Sequence, residues 1–189
     1  MSSWSSYYAA TGGDPRETLL DALDRFEGPG VAVDLGCGAG RDTFELLRRG
    51  WSVLAIDGEE EAIRRVREQA GNDERLTTQV ARFEDATFPP CDLVNASFSL
   101  PFCAPADFAS LWQRVVTALR EGGRFSGQLF GDRDGWAPSD DITFLPRREA
   151  EELFAAFELE RFDEVEEDSK TALGEPKHWH LFNAVARKR

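Results

Sequence analysis

Cysteine is scarce in this 189-residue chain: Cys37, Cys91 and Cys103 stand apart from one another. Their number is odd and no pair has metal-ligand spacing, which argues against a disulfide framework or a structural metal. The expectation is three reduced thiols, no metal, and a cytoplasmic protein. Long apolar runs are also missing; nothing approaches the roughly 20 residues that span a bilayer, so no membrane association is expected. The opening Met1-Ser2-Ser3-Trp4 lacks the basic and apolar regions of a secretory signal. Positive charge is in deficit, with 22 Lys and Arg against 35 Asp and Glu and a formal charge of −13. Such a surface repels phosphate backbones, and the one basic run is Arg187-Lys188-Arg189. No nucleic-acid partner is therefore expected. Internal repeats, low-complexity tracts and interdomain linkers are absent.

What is present is an ordinary globular mixture, 41% hydrophobic and 30% charged, enough for a single domain over residues 1–189. Residues 1–13 precede the first helix, for which Asp14 is a candidate cap, with Pro15 in the first turn and Leu19, Leu20, Leu23 and Phe26 as its apolar face. From there strands and helices alternate. Strands are expected near 31–35, 51–56, 76–81, 92–96 and 124–130. Helices are expected near 42–49, 59–69, from Pro105 to a stop at Gly122-Gly123, and 147–157. In the second of these, Glu60/Arg64 and Glu61/Arg65 have favourable spacing. Two further strands, near 158–165 and 178–186, follow each other without a helix. The pattern predicts an α/β, Rossmann-like fold: a mainly parallel seven-stranded sheet, helices on both faces, and an antiparallel edge pair at the C-terminus. Ligands of such sheets sit beyond the carboxyl ends of the strands, where strand order reverses.

The segment Asp34-Leu35-Gly36-Cys37-Gly38-Ala39-Gly40-Arg41 closes the first strand. Glycine there lets a ligand approach the backbone, because no Cβ intervenes. A dinucleotide fingerprint wants its third glycine one position later, where this chain has Arg41. Asp34, two positions before Gly36, also suits an anionic pyrophosphate poorly. S-adenosylmethionine has no phosphate, and its ammonium can be held by a carboxylate or by water bound to one. Asp57, followed by Gly58 at the end of the second strand, can accept both hydroxyls of a ribose or can cap the next helix. After the third strand, Phe83-Glu84-Asp85 offers a ring and a carboxylate for adenine and its amine; by itself Glu84-Asp85 also fits a solvated acidic turn.

In order and spacing over about residues 30–130, these segments resemble the class I S-adenosylmethionine-dependent methyltransferases; the small tellurite-resistance-like subgroup is similar in size and layout. The resemblance implies S-adenosyl-L-methionine as cofactor. Its methionine part would lie on Asp34–Gly40, its ribose on Asp57 and its adenine amine on Asp85. It also implies that the segment Asn95-Ala96-Ser97-Phe98-Ser99-Leu100-Pro101-Phe102, after the fourth strand, borders the methyl group.

The acceptor side carries weaker signals. Residues 95–102 lack the Asn/Asp-Pro-Pro-aromatic motif of similar amino- and base-methylating enzymes, which favours a small-molecule acceptor. Phe98 can line a pocket or pack in the core. Trp4, Tyr7 and Tyr8 are candidates for a lid over the cleft or can pack elsewhere. Phe130 and Trp136 flank a polar, glycine-containing loop at the expected cleft mouth. His178 and His180 alternate on one strand face, where one can serve as a base or both can form a polar edge. No catalytic residue is assigned, since methyl transfer mainly needs placement and exclusion of water. The oligomeric state stays open.

Overall fold

The computed structural model describes residues 13–137 and 139–189. Its central sheet has the order β3-β2-β1-β4-β5-β8-β7, and a two-residue strand β6 pairs β5. The strands are β1 (Val31–Leu35), β2 (Ser52–Asp57), β3 (Leu76–Val80), β4 (Cys91–Ala96), β5 (Leu119–Gly131), β6 (Phe144–Leu145), β7 (Phe157–Lys170) and β8 (Pro176–Lys188). The helices are α1 (Glu17–Leu23), α2 (Arg41–Arg48), α3 (Glu60–Ala70), α4 (Pro105–Ala118) and α5 (Arg147–Glu152). The first five strands and β6 pair in parallel, whereas β8 runs antiparallel to both β5 and β7. The expected α/β sheet with its antiparallel C-terminal pair is therefore what forms, with β6 as an addition.

Period-two alternation explains why the strands have two buried faces. In β1, Ala32 packs with Leu19, Leu46 and Trp51 under α1 and α2, while its neighbour Val33 packs with Leu111, Trp112 and Val115 of α4 on the other side. Leu93 and Val94 of β4 divide in the same way, as do Val185 and Ala184 of β8. A cluster of rings closes the α4 side, where Trp112 meets Phe125 at 5.1 Å and Phe154 at 5.3 Å in edge-to-face geometry.

Several local expectations give way to tertiary contacts. Helix α1 begins at Glu17 with Arg16 at the cap position and no side-chain cap bond. Asp14 does not serve, because the Arg16 N–H is drawn to Asp42 at 3.1 Å instead. Helix α4 stops at Ala118, not at Gly122-Gly123; those glycines lie within β5. A Cβ at Gly123 would stand 2.9 Å from the Arg120 and Asp92 carbonyl oxygens, so glycine serves a tight strand crossing there. On α3, Arg64 bonds Glu61 and Glu68 rather than Glu60, and Arg65 takes Glu61 as expected. Strands β7 and β8 extend beyond the apolar segments that announced them, because pairing continues through the exposed acidic stretch up to Lys170↔Pro176.

The chain runs β1, β2, β3 outward and then returns to place β4 on the other side of β1. Strand order reverses there, and the carboxyl ends of β1 and β4 border the crevice in which such sheets bind ligands.

Candidate cofactor cleft and adjoining aromatic cavity

The crevice opens over the glycine turn. Gly36, Gly38 and Gly40 have φ of 73°, 55° and 88°, a region costly for other residues. At Gly36 a Cβ would also stand 2.3 Å from Cβ of Ser99. The Ser99 hydroxyl donates to the Leu35 carbonyl, tying the loop after β4 to the end of β1. The Gly36 and Cys37 N–H groups both donate to the Ile56 carbonyl, at 2.8 and 2.9 Å. The Gly38 N–H donates to Oδ2 of Asp57 at 2.9 Å. Asp57 Oδ1 accepts the Glu59 N–H at 2.9 Å, so this carboxylate joins the glycine turn to the start of α3 while lining the cleft.

The floor is acidic. Asp34 and Asn95 are register partners across β1 and β4, and Asn95 Nδ2 donates to Asp34 at 2.9 Å and to Asp42 at 3.1 Å. The Thr43 hydroxyl donates to Asp34 Oδ2 at 2.5 Å. Both carboxyls are buried. Burial, followed by the Asp42 charge, pushes the Asp34 carboxyl up to about 7. Two acids that cannot comfortably share negative charge favour a cation beside them. Cys37 is held as a thiol, its pKa raised well above the usual range by burial and then by Asp34.

The cleft measures about 480 Å³, the size of a small-molecule site. Asp34, Gly36, Cys37, Gly38, Asp57, Gly58, Phe83, Glu84, Ser97 and Phe98 line it. Gly40 lies just outside, as the left-handed cap of α2 packed on Phe44 and Val66. Asn95 is behind the wall, fully buried between two carboxyls. Asp85 is exposed and off the lining. Arg114 of α4 grips the carbonyls of Phe83 and Ala86 at 2.6 and 2.5 Å, so the loop turns Phe83 and Glu84 inward and Asp85 away.

A second cavity of about 450 Å³ adjoins the first, and Phe98 and Phe102 line both. Phe130, Trp136 and Trp179 complete an aromatic wall, with Trp179 centroids 5.7 Å from Trp136 and 6.0 Å from Phe130 and Phe98. Phe98 is the one described non-glycine residue with positive φ, at 52°. Such strain persists only where surroundings enforce it. Here the Phe98 N–H donates to Gln128 Oε1 at 3.0 Å, and the buried Gln128 donates in turn to Thr18 and Asn183.

His178 and His180 share a strand face as expected, but neither lines either of these two cavities. That face looks onto acidic β7. His178 pairs with Asp168 at 2.8 Å, and His180, fully buried, meets Glu164 at 2.9 Å and accepts the Arg133 N–H at 3.0 Å. The expectation that they face the acceptor pocket is thereby revised. Trp4, Tyr7 and Tyr8 lie outside the described residues.

Sequence reasoning passed over Asp42 and Trp179. Asp42 reads as a first-turn acid of a helix, and nothing in the sequence brings it to Asp34. Trp179 carried a usable signal: it alternates with the buried Lys177 and Leu181 on the opposite face from the histidines. Among the described residues no cluster of His, Cys, Asp or Glu is arranged to hold a metal ion, and no helix is long and apolar enough to cross a membrane.

Comparison with known proteins agrees with this geometry. Residues 32–123 match the methyltransferase domain family. Carboxy-S-adenosyl-L-methionine synthase of Shewanella amazonensis is 33% identical over 114 residues, 56% of this chain and 47% of that protein. The chain spans about half the length of the curated relatives it matches. Among solved structures, TehB from Haemophilus influenzae superposes with a TM-score of 0.81 at 18% identity, over 98% of this chain and 66% of that one. A 1,6-didemethyltoxoflavin-N1-methyltransferase from Burkholderia thailandensis, solved with that compound and S-adenosylhomocysteine, gives 0.72 at 22% identity, over 99% and 81%. Sheet order and glycine turn are those of the class I S-adenosylmethionine-dependent methyltransferase fold, and residues 32–123 carry the methyltransferase-domain match. Within that class the chain resembles TehB in fold along nearly its whole length.

Proposed function

We propose that the chain transfers the methyl group of S-adenosylmethionine to a small-molecule acceptor held in the aromatic cavity. The observation that carries this reading is the junction of two unlike cavities at Phe98 and Phe102. One has an acidic floor and a glycine wall; the other is ringed by aromatics. The donor set fits the cofactor: buried Asp34 and Asp42 suit an ammonium, the glycine turn admits the backbone-hugging methionine part, and Asp57 suits ribose hydroxyls. Phe83 and Glu84 are assigned to adenine, in preference to Asp85. When bound, the cofactor supplies an electrophilic methyl carbon, which bonds to an acceptor lone pair as the carbon–sulfur bond breaks with its electrons remaining on sulfur.

The chain's own work is placement and exclusion of water. Phe98 and Phe102 sit at the junction, and no described histidine, cysteine or lysine on the lining stands out as a base. Trp4, Tyr7 and Tyr8 are proposed to close over the junction as a lid. The charge of −13 supports an acceptor other than nucleic acid. Three buried free thiols support a cytoplasmic location.

Calorimetric titration with S-adenosylmethionine, S-adenosylhomocysteine and NADH tests the cofactor reading; binding of NADH in preference to both sulfur compounds would overturn it. A second reading follows from the relatives named as synthases of carboxy-S-adenosyl-L-methionine. Arg41 and Arg82 line the cleft and suit a carboxylated cofactor. Mass spectrometry of the bound and released nucleosides separates the two, since methyl transfer leaves S-adenosylhomocysteine.

A further inference from the structure

Behind the aromatic wall lies a buried ion pair. The Lys177 and Asp134 side chains are 1% and 0% exposed, and Nζ of Lys177 donates to the two carboxylate oxygens at 2.5 and 2.6 Å. Asp134 also accepts the N–H of Trp136 at 3.0 Å and of His180 at 3.2 Å, tying the loop that bears Trp136 to the strand that bears Trp179. Burying two charges costs more than packing apolar groups of the same volume, so stability alone is a poor reason for this pair.

The position of the ammonium supplies a better one. It lies 3.7 Å from the ring centroid of Trp179, 4.2 Å from Trp136 and 5.2 Å from Phe130. The same three rings line the second cavity, which Lys177 itself does not. At the junction the Arg16 guanidinium lies 4.4 Å from the centroid of Phe98. Ring faces attract cations through their quadrupole. A cation already set against a ring draws π density toward itself, leaving the cavity side electron-poor. The other charged groups on the lining, Glu167, Glu175 and Lys170, stand exposed at the mouth, and with Arg16 they balance in sign.

We propose that Lys177, held by Asp134 against Trp179, Trp136 and Phe130, is a specificity-determining residue that tunes this cavity for a planar, electron-rich aromatic acceptor, neutral or anionic, and against a cationic amine. The proposal rests on the reading of the second cavity as the acceptor site. Burial draws the Lys177 pKa down and Asp134 acts against that.

The test uses two probes of one shape and opposite charge, 2-naphthoate and N-methylquinolinium, titrated into the full chain saturated with S-adenosylhomocysteine. Wild-type protein is expected to bind 2-naphthoate at least about tenfold more tightly. Lys177→Met alone leaves Asp134 buried without its partner and can fail to fold, so the variant of choice is Lys177→Met with Asp134→Asn. It should lose most of the preference while its affinity for S-adenosylhomocysteine stays unchanged. Trp179→Leu should weaken both probes. Equal or tighter binding of N-methylquinolinium by wild type overturns the proposal, as does an undiminished preference in the double variant. If the double variant does not fold, the wild-type preference decides. Failure of wild type to bind S-adenosylhomocysteine would instead sink the cofactor reading.

Discussion

The two cavities meet at two phenylalanines, yet they are built on opposite principles. The cofactor cleft comes from the glycine turn and the strand ends and loops between Asp34 and Asp141. Its walls are largely glycine and backbone, and its floor is two buried carboxyls, Asp34 held by the neutral Asn95 and Thr43, and Asp42 by Asn95 and the Arg16 N–H with the Arg41 guanidinium 3.7 Å away. The aromatic cavity is assembled from residues between Arg16 and Leu181, and its buried charge is an already neutralised cation set behind rings. On the proposed reading the first is prepared to receive positive charge, the second to turn it away. On the same reading, one sheet holds a cationic cofactor and an electron-rich acceptor side by side, with Phe98 in a strained conformation where the environments change.

The comparison breaks most sharply at the glycine turn. Gly38→Val places a β-branched residue at φ 55°, a strain of about 1–3 kcal/mol, and puts a side chain where the methionine part would lie. Affinity for S-adenosylhomocysteine should fall by roughly a hundredfold or more in calorimetry, while 2-naphthoate binding to the neighbouring cavity is retained.

Asp57→Ala should act next most strongly. It removes the acceptor of two backbone N–H groups as well as the proposed ribose contact. A loss of about tenfold or more in cofactor affinity is expected, at about 1.5–3 kcal/mol for each bond to a charged group. Lower melting temperature with unchanged affinity would show that capping is its whole role.

The acidic floor makes a proton prediction. Asp34 is raised from 3.8 to about 7 in the folded chain, by burial and then by Asp42. Its contribution to stability is thus present below pH 3.8 and lost as pH rises through about 7. A cation arriving beside it favours the ionised form, so cofactor binding near neutral pH should release a proton. Calorimetry in buffers of different ionisation enthalpy measures this release, and Asp34→Asn should abolish it.

Two milder changes sharpen the boundary between the cavities. Removing residues 1–13 should raise the Michaelis constants and slow turnover, with the melting temperature of the free protein nearly unchanged; normal turnover would dismiss the lid. Asp85→Ala should shift cofactor affinity least, within about 0.5 kcal/mol as at an ordinary surface position. Glu84→Ala should weaken it several-fold more, and the reverse order would return the adenine amine to Asp85.

What the sequence determined by itself is local and periodic. Short apolar runs marked β1, β2 and β4 as buried strands, because both faces of a parallel sheet must be apolar. The spacing of Gly36, Gly38 and Gly40 marked the turn, because backbone at positive φ tolerates few other residues. Asp34 and Asp57 followed because each sits at the end of a recognisable strand. Tertiary structure alone decided the rest. The union of Asp34 with Asp42 depends on α2 folding back over β1. Whether Glu84 or Asp85 turns inward depends on Arg114 reaching across from α4. The side of β8 that meets a ligand depends on β7 lying along it: acidic β7 claims the histidine face, leaving Trp179 to the cavity and Lys177 to Asp134. Period two says that His178 and Trp179 point opposite ways; only the neighbours packed on each side say which way is toward the site.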